Sequence, residues 1–231
     1  STAIGTQALN TQDFTTATDA FNTAVGYQAG LNVTTGVQNT IIGGLAGDAI
    51  TTGGYNTAVG KDSLSNTTTG SNNVAVGIGA LEDNTTGNSN TALGSEALTN
   101  NTTASSNTAI GADALFANTT GTRNVAIGAL AGDANTDGDD GTFIGYAAGG
   151  ANTTADDNVA VGNFAFDANT TGANNTAVGF CALKANTTGA GNVAVGRSAL
   201  ESNTTGTRNI AIGSSAYSAS DTENDNLAIG Y

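Results

Sequence analysis

The stretch Asn158-Val159-Ala160-Val161-Gly162 returns as Asn22-Thr23-Ala24-Val25-Gly26, as Asn73-Val74-Ala75-Val76-Gly77 and as Asn192-Val193-Ala194-Val195-Gly196. Its closing glycine falls at Gly26, Gly43, Gly60, Gly77, Gly94, Gly111, Gly128, Gly145, Gly162, Gly179, Gly196, Gly213 and Gly230, each 17 residues after the last. An unbroken period of this length marks an array of small units, none of which can bury its apolar face alone. The 231 residues therefore read as a single repeat domain, 1–231, rather than as one or two ordinary globules.

Around this glycine the positions are nearly fixed. The residue before it is Val or Ile in every unit except at Leu93, and the residue two before is Ala except at Ile41 and Phe143. Four before it stands Asn, broken only by Gly141. Alternation of β-branched and tiny side chains with period two predicts a strand. Three residues after the glycine comes Ala, as in Ala80, Ala97, Ala114 and Ala182, followed by Leu81, Leu98, Leu115 or Phe166 in the next position. A polar Asn-Thr-Thr-Gly run follows, for example Asn169 to Gly172, whose residues tolerate positive φ and satisfy the backbone locally. No window carries a helical period, because Gly and β-branched residues interrupt every few positions.

The fold expected is thus all-β: a parallel β-solenoid of about 13 coils, each with two short strands and two turns, stacked at about 4.8 Å per rung. Identical residues then form columns. An inward Asn column can pair amide to amide. Val76, Ile110, Val161 and Val195 are expected to fill the core, with Ala75, Ala109, Ala160 and Ala194 on the opposite face. The first coil, 1–21, is irregular. Gly5 and Gly26 are 21 residues apart, so Thr11 to Phe21 carries a four-residue insertion, expected as a bulged loop.

The recurring NVAVG and NTAIG cores, each followed by a small residue and a polar turn, resemble the head repeats of YadA-like trimeric autotransporter adhesins. The longer NTAVGxxAL…NTTG unit is similar to shaft repeats of phage tail fibres and of bacterial surface proteins ending in a chaperone domain. The resemblance covers Ala3 to Tyr231. It implies a left-handed parallel β-roll, a homotrimer, an extracellular place on a cell surface or virion, and binding to a host surface glycan or protein. It also implies that Val76, Val161 and Val195 are core and that Ala75, Ala160 and Ala194 face a neighbouring chain. This chain departs from the pattern in its longer period and in the bulk of Ile41 and Phe143.

Composition narrows the function. The net charge is −14 and the five basic residues, Lys61, Arg123, Lys184, Arg197 and Arg208, are scattered, which argues against nucleic acid and direct membrane contact. No apolar run approaches the roughly 20 residues of a membrane helix. There is no His, so Ser-His-Asp triads and His-ligated metal sites are absent. The lone Cys181 has no intramolecular partner and reads as a small, half-buried residue. The 19 acidic residues read as a solvated surface, and no enzyme activity is expected. The chain opens and closes inside a repeat with no cap over either end, so it reads as a section of a longer or processed chain, or as a unit able to stack head to tail into a filament.

Three local signals remain. Asp133, Asn135, Asp137 and Asp139, with Gly138, match the opening of a calcium loop, although the bidentate acid such a loop needs would fall at Ile144. Asn84, Asn101, Asn118, Asn152, Asn169, Asn186 and Asn203 are formal N-glycosylation acceptors, for which turn chemistry is an equally sufficient explanation. Tyr146, Phe164, Phe166 and Phe180 gather in neighbouring coils and, if exposed, would stack on sugar rings. The reading that follows is an extracellular fibrous adhesin or tail-fibre section that extends and binds without chemistry. The alternatives are a self-assembling or ice-binding filament protein and a glycan-cleaving, tailspike-like β-helix enzyme.

Overall fold

A computed structural model describes residues 1–12, 19–219 and 221–231. The expected bulged loop falls largely on residues 13–18, which lie outside the described residues. The described chain is all-β and divides into two units, Ser1–Asp113 and Ala114–Tyr231. The first holds β1 (Thr2–Ile4), β2 (Thr23–Val25), β3 (Thr40–Ile42), β4 (Thr57–Val59), β5 (Val74–Val76), β6 (Thr91–Leu93) and β7 (Thr108–Ile110). The second holds β8 (Val125–Ile127), β9 (Thr142–Ile144), β10 (Val159–Val161), β11 (Thr176–Val178), β12 (Val193–Val195), β13 (Ile210–Ile212) and β14 (Leu227–Ile229). Within each unit consecutive strands pair in parallel and in sequence order, as in a β-solenoid. The register is the repeat itself: Val159, Ala160 and Val161 face Thr176, Ala177 and Val178.

Each coil carries one strand, not the two expected. The segment after the clock glycine is a chain of turns because alternate residues are left-handed. In the coil after Gly162 these are Phe164 and Phe166, both at φ 56°. Its backbone is nevertheless hydrogen-bonded to both neighbouring coils. The Phe164 N–H donates back to the Tyr146 carbonyl at 2.9 Å, and the Phe166 N–H donates forward to the Ala182 carbonyl at 2.9 Å. Alternating up and down in this way satisfies the ladder without extended φ and ψ. The clock glycine is required on two grounds. Gly162 sits at φ 135°, and a Cβ there would lie 2.5 Å from the Gly179 carbonyl oxygen.

The core assignment reverses. Ala75, Ala109, Ala160 and Ala194 are fully buried, whereas Val76, Ile110, Val161 and Val195 lie half-buried on the outer face. The physical reason is parity. Period two puts Asn158, Ala160 and Gly162 on one face and Val159 and Val161 on the other. Asn158 is fully buried, so Ala160 must be inside with it. The coil interior has room for little more than Ala on the strand side, because Leu183, Leu200 or Phe166 reaches across from the turn side. The Ala positions therefore do not face a neighbouring chain.

Phe143 and Ile41, the bulky exceptions in the Ala row, follow the same rule and are buried. Space for Phe143 comes from glycines around it: a Cβ on Gly141 would lie 2.6 Å from its ring, and one on Gly132 2.7 Å. Gly149 borders the same ring. Around Ile41, Gly30 and Gly47 stand where most coils have Leu. Bulk on the strand side is thus offset by its loss on the turn side, at roughly constant core volume.

Two Asn columns run through the interior. Asn158 donates its Nδ2 to the Gly172 carbonyl at 2.9 Å, and its Oδ1 accepts the Asn175 backbone N–H at 2.9 Å. The second column is the Asn of the Asn-Thr-Thr turn. In the second unit Asn118, Asn135, Asn152, Asn169, Asn186 and Asn203 form a ladder, in which from Asn135 onward each Nδ2 donates to the previous Oδ1 at 2.9–3.0 Å. Asn169 uses both donors and both acceptor sites, adding the Gly172 carbonyl at 3.1 Å and the Gly172 N–H at 3.1 Å. In the first unit the ladder ends where Thr67 receives the Asn84 amide, and Ile50 and Val33 continue the column as apolar residues.

These contacts fix two expectations. Gly162→Ala should destabilise by more than about 2 kcal/mol, through strained φ and the clash with Gly179, and Asn169→Ala by roughly 2–4 kcal/mol, through the amides it leaves unpaired. Val161→Thr should stay within about 1 kcal/mol, since its side chain is half-exposed. Urea melts followed by circular dichroism check the order; equal losses for Val161→Thr and Gly162→Ala would contradict the inward parity.

Candidate binding site

The turns after three clock glycines of the second unit place aromatic rings on the surface. Tyr146 and Phe180 directly follow Gly145 and Gly179, and Phe164 is the second residue after Gly162. Tyr146 and Phe180 are about half exposed, and Phe164 is half-buried between them. The Phe164 ring meets Tyr146 edge-on, with centroids 5.3 Å apart and planes at 78°. It meets Phe180 at 6.4 Å and 89°. Both are the edge-to-face geometry that the ring quadrupole favours. The Lys184 ammonium lies 5.5 Å from the Phe164 centroid, within cation–π range.

The left-handed backbone at Phe164 and Phe166 explains why the four candidate rings part company. Two residues separate them, yet Phe166 is fully buried in the coil interior and cannot stack on a ligand. Its membership of a sugar-binding set is corrected on that ground. Lys184 and Asn163 take its place, and neither stood out in the sequence. Asn163 follows Gly162 and so falls in the column between Tyr146 and Phe180. Its Oδ1 accepts the Tyr146 backbone N–H at 3.1 Å. Aligning the chain on its 17-residue register is the signal that finds it.

The calcium reading fails on geometry. Asn135 is fully buried: its Nδ2 binds Asn118 Oδ1 and the Gly138 carbonyl, both at 3.0 Å, and its Oδ1 accepts the Asn152 amide at 2.9 Å. Asp139 Oδ1 accepts the Thr122 N–H at 2.6 Å and the Thr122 hydroxyl at 2.9 Å, and Asp137 Oδ1 accepts the Thr136 hydroxyl at 3.0 Å. Asp133, Asn135, Asp137 and Asp139 thus do not converge. Among the described residues no group of three or more His, Cys, Asp or Glu side chains could hold a metal ion.

The glycosylation reading meets the same obstacle. Asn84, Asn101, Asn118, Asn152, Asn169, Asn186 and Asn203 all lie fully inside the coils. A glycan on any of these amides would occupy the interior, so glycan and closed coil exclude each other. The turn instead exposes its second threonine, as at Thr171 and Thr188. The first threonine donates its hydroxyl to a carbonyl of the next coil, as Thr170 does to Thr187 at 3.1 Å.

Charge on the outside is organised by the same columns. Arg123 pairs bidentately with Asp140 and Arg208 with Asp225, at 2.6–2.7 Å, holding both carboxyls below the usual range. These pairs lie exposed on the surface and contribute little to stability. Burial pushes the Asp48, Glu82 and Asp167 carboxyls up; the charge of Asp62 adds to the first two, and Lys184 opposes the third. Burial also raises the Cys181 thiol, which keeps it protonated and unreactive at neutral pH.

No protein-family model matches the chain, and no curated protein and no solved structure is detectably similar to it.

The raised carboxyls give a pH dependence with a definite sign. A group that holds its proton more tightly when folded supplies stability that is complete below its unfolded pKa and is lost as pH rises through the folded value. Asp48, Glu82 and Asp167 all act in this direction, as does relief of the −14 net charge. The melting temperature should rise as pH falls from about 7 to about 5, and Asp48→Asn with Asp167→Asn should flatten the slope. A melting temperature that falls over this interval would contradict the assignment.

Proposed function

We propose that this chain is a section of an extracellular fibrous adhesin or tail fibre, displayed on a cell surface or virion, that assembles with copies of itself as a homotrimer and binds a surface glycan or protein without catalysis. The observation that carries the reading is the outer strand face. In each unit the reversed parity leaves a continuous stripe of half-exposed β-branched residues, with Ile42 40%, Ile127 38%, Ile210 39% and Ile212 41% accessible. No charged residue interrupts the strands themselves. The column beside the clock glycine is Val or Ile except at Leu93, and the other outer column mixes Thr with Val, Ile and Leu. A stripe of this regularity is a surface that soluble proteins cover.

A second copy of the chain fits as its cover for a geometric reason. The stripe repeats once per coil, so a partner contacting it along its length must present side chains at the same rise. A copy has that period by construction, and closed symmetric association is the common outcome for such self-matching surfaces. The stripe would then be the apolar centre of the assembly, with the turns on its outside. An acidic exterior without basic clusters supports a partner other than nucleic acid or an anionic membrane.

Sedimentation equilibrium tests the reading. The chain should run at three times 22.4 kDa. The double variant Val161→Asp/Val178→Asp should shift it to 22.4 kDa while keeping its circular dichroism spectrum, because both positions are on the outer face. A wild-type chain that sediments as a monomer at every concentration would remove the proposed assembly.

A further inference from the structure

Tyr146, Asn163 and Phe180 occupy one column on three successive coils, each the residue after a clock glycine. Tyr146 and Phe180 are therefore two rungs apart, about 9.6 Å at the usual interstrand rise. Phe164 meets both rings edge-on, at 5.3 and 6.4 Å, a contact that restrains them before any ligand binds. Between the rings, Asn163 is exposed and already gives its Oδ1 to the Tyr146 N–H, which leaves its amide NH2 for a donor role at the surface.

From this spacing we propose that Tyr146, Asn163 and Phe180 form a platform for an extended, uncharged β-1,4-linked polysaccharide. This deepens the adhesive reading and rests on it. In such a chain each sugar is flipped relative to the next, so every second sugar offers the same apolar face to the same side. That repeat is close to the two-rung spacing of the rings. Tyr146 and Phe180 then stack on alternate sugars, and the intervening sugar presents its hydroxyls to the Asn163 amide.

The local charge sets the class of glycan. In a chain of net charge −14, the surroundings of Cys181 combine Lys184 and Arg197 with Asp167 and Glu201. Lys184 lies over the Phe164 ring. Two cations and two anions in one neighbourhood give no excess of either sign to favour an acidic or a basic glycan. Stacking with hydrogen bonding from an amide is the recognition chemistry that remains, and it suits a neutral sugar ribbon.

Titration of the full chain with cellohexaose and with chitohexaose, followed by tyrosine fluorescence and calorimetry, tests this. The same samples are run by sedimentation equilibrium. The unaltered chain should bind at least one of the two, Tyr146→Ala and Phe180→Ala should each weaken binding by about tenfold, and Asn163→Ala should weaken it less, all with unchanged mass and melting temperature. No binding of either oligosaccharide, equal binding by the Tyr146→Ala/Phe180→Ala variant, or stronger binding of an oligomeric polyguluronate overturns the platform. A variant whose sedimenting mass falls shows instead that the rings are a contact between copies, which also overturns it. An oligomer that ignores all sugars sinks the platform and leaves the assembly standing, whereas a monomer that binds cellohexaose does the reverse.

Discussion

The buried amide is the interaction on which this structure depends. Each regular coil carries an Asn beside its strand, and most carry a second in the following turn, buried inside the coils except at the terminal Asn226. An unpaired amide there would cost about 1–3 kcal/mol, so each needs partners. Among the described Asn side chains of the columns, the buried atom left without one is Asn203 Oδ1, at the end of its ladder. The amides are paired only if the coils stack in strict register, because the partners are the backbone and the equivalent Asn one coil away. The hydrogen bonds add specificity beyond what the small apolar interior supplies. A slip of one residue would orphan the whole column at once.

Once the Asn is fixed inside, the rest of the coil follows. Alternation carries Ala160 inward and Val161 outward. Ala on the strand leaves width for one large side chain from the turn, and the core of a coil becomes two alanines, a Leu or Phe and its amides. The exceptions obey the same accounting of space. Where Phe143 replaces Ala, Gly141 stands in for the Asn, and glycine replaces Leu at Gly132 and Gly149. The Asn column survives the gap because Asn124 Oδ1 accepts the Gly141 N–H at 2.8 Å, just as it would that of an Asn.

The outer surface inherits whatever the interior does not need. The β-branched residues form a stripe because they have the wrong parity for the tube, and this stripe supports the proposed self-association. The aromatic residues after Gly145, Gly162 and Gly179 sit on turns whose geometry is held by up-and-down backbone bonds. Surface chemistry can therefore vary from coil to coil without disturbing the fold. The rigidity of the turn gives a small patch such as Tyr146, Phe164 and Phe180 a defined spacing.

Much of this was legible before any coordinates. The interval between glycines determined the length of a coil, the parallel pairing and its register, since only equal coils keep like residues in columns. The same interval placed Asn163 between Tyr146 and Phe180, once the chain is aligned on it. Tertiary structure alone decided which face of Asn158-Val159-Ala160-Val161 lies inside. Alternation defines two faces without saying which one a closing tube can hold, and an Asn and a Val of opposite parity cannot both point inward. It also decided that Phe166 is core while Phe164 is surface, and that the Asn of the Asn-Thr-Thr turn is interior and not a glycan acceptor. Both outcomes rest on left-handed residues and on the closure of the coil, which local propensity does not encode: a Leu or Phe adopts positive φ only when its neighbours above and below repay the strain with backbone hydrogen bonds.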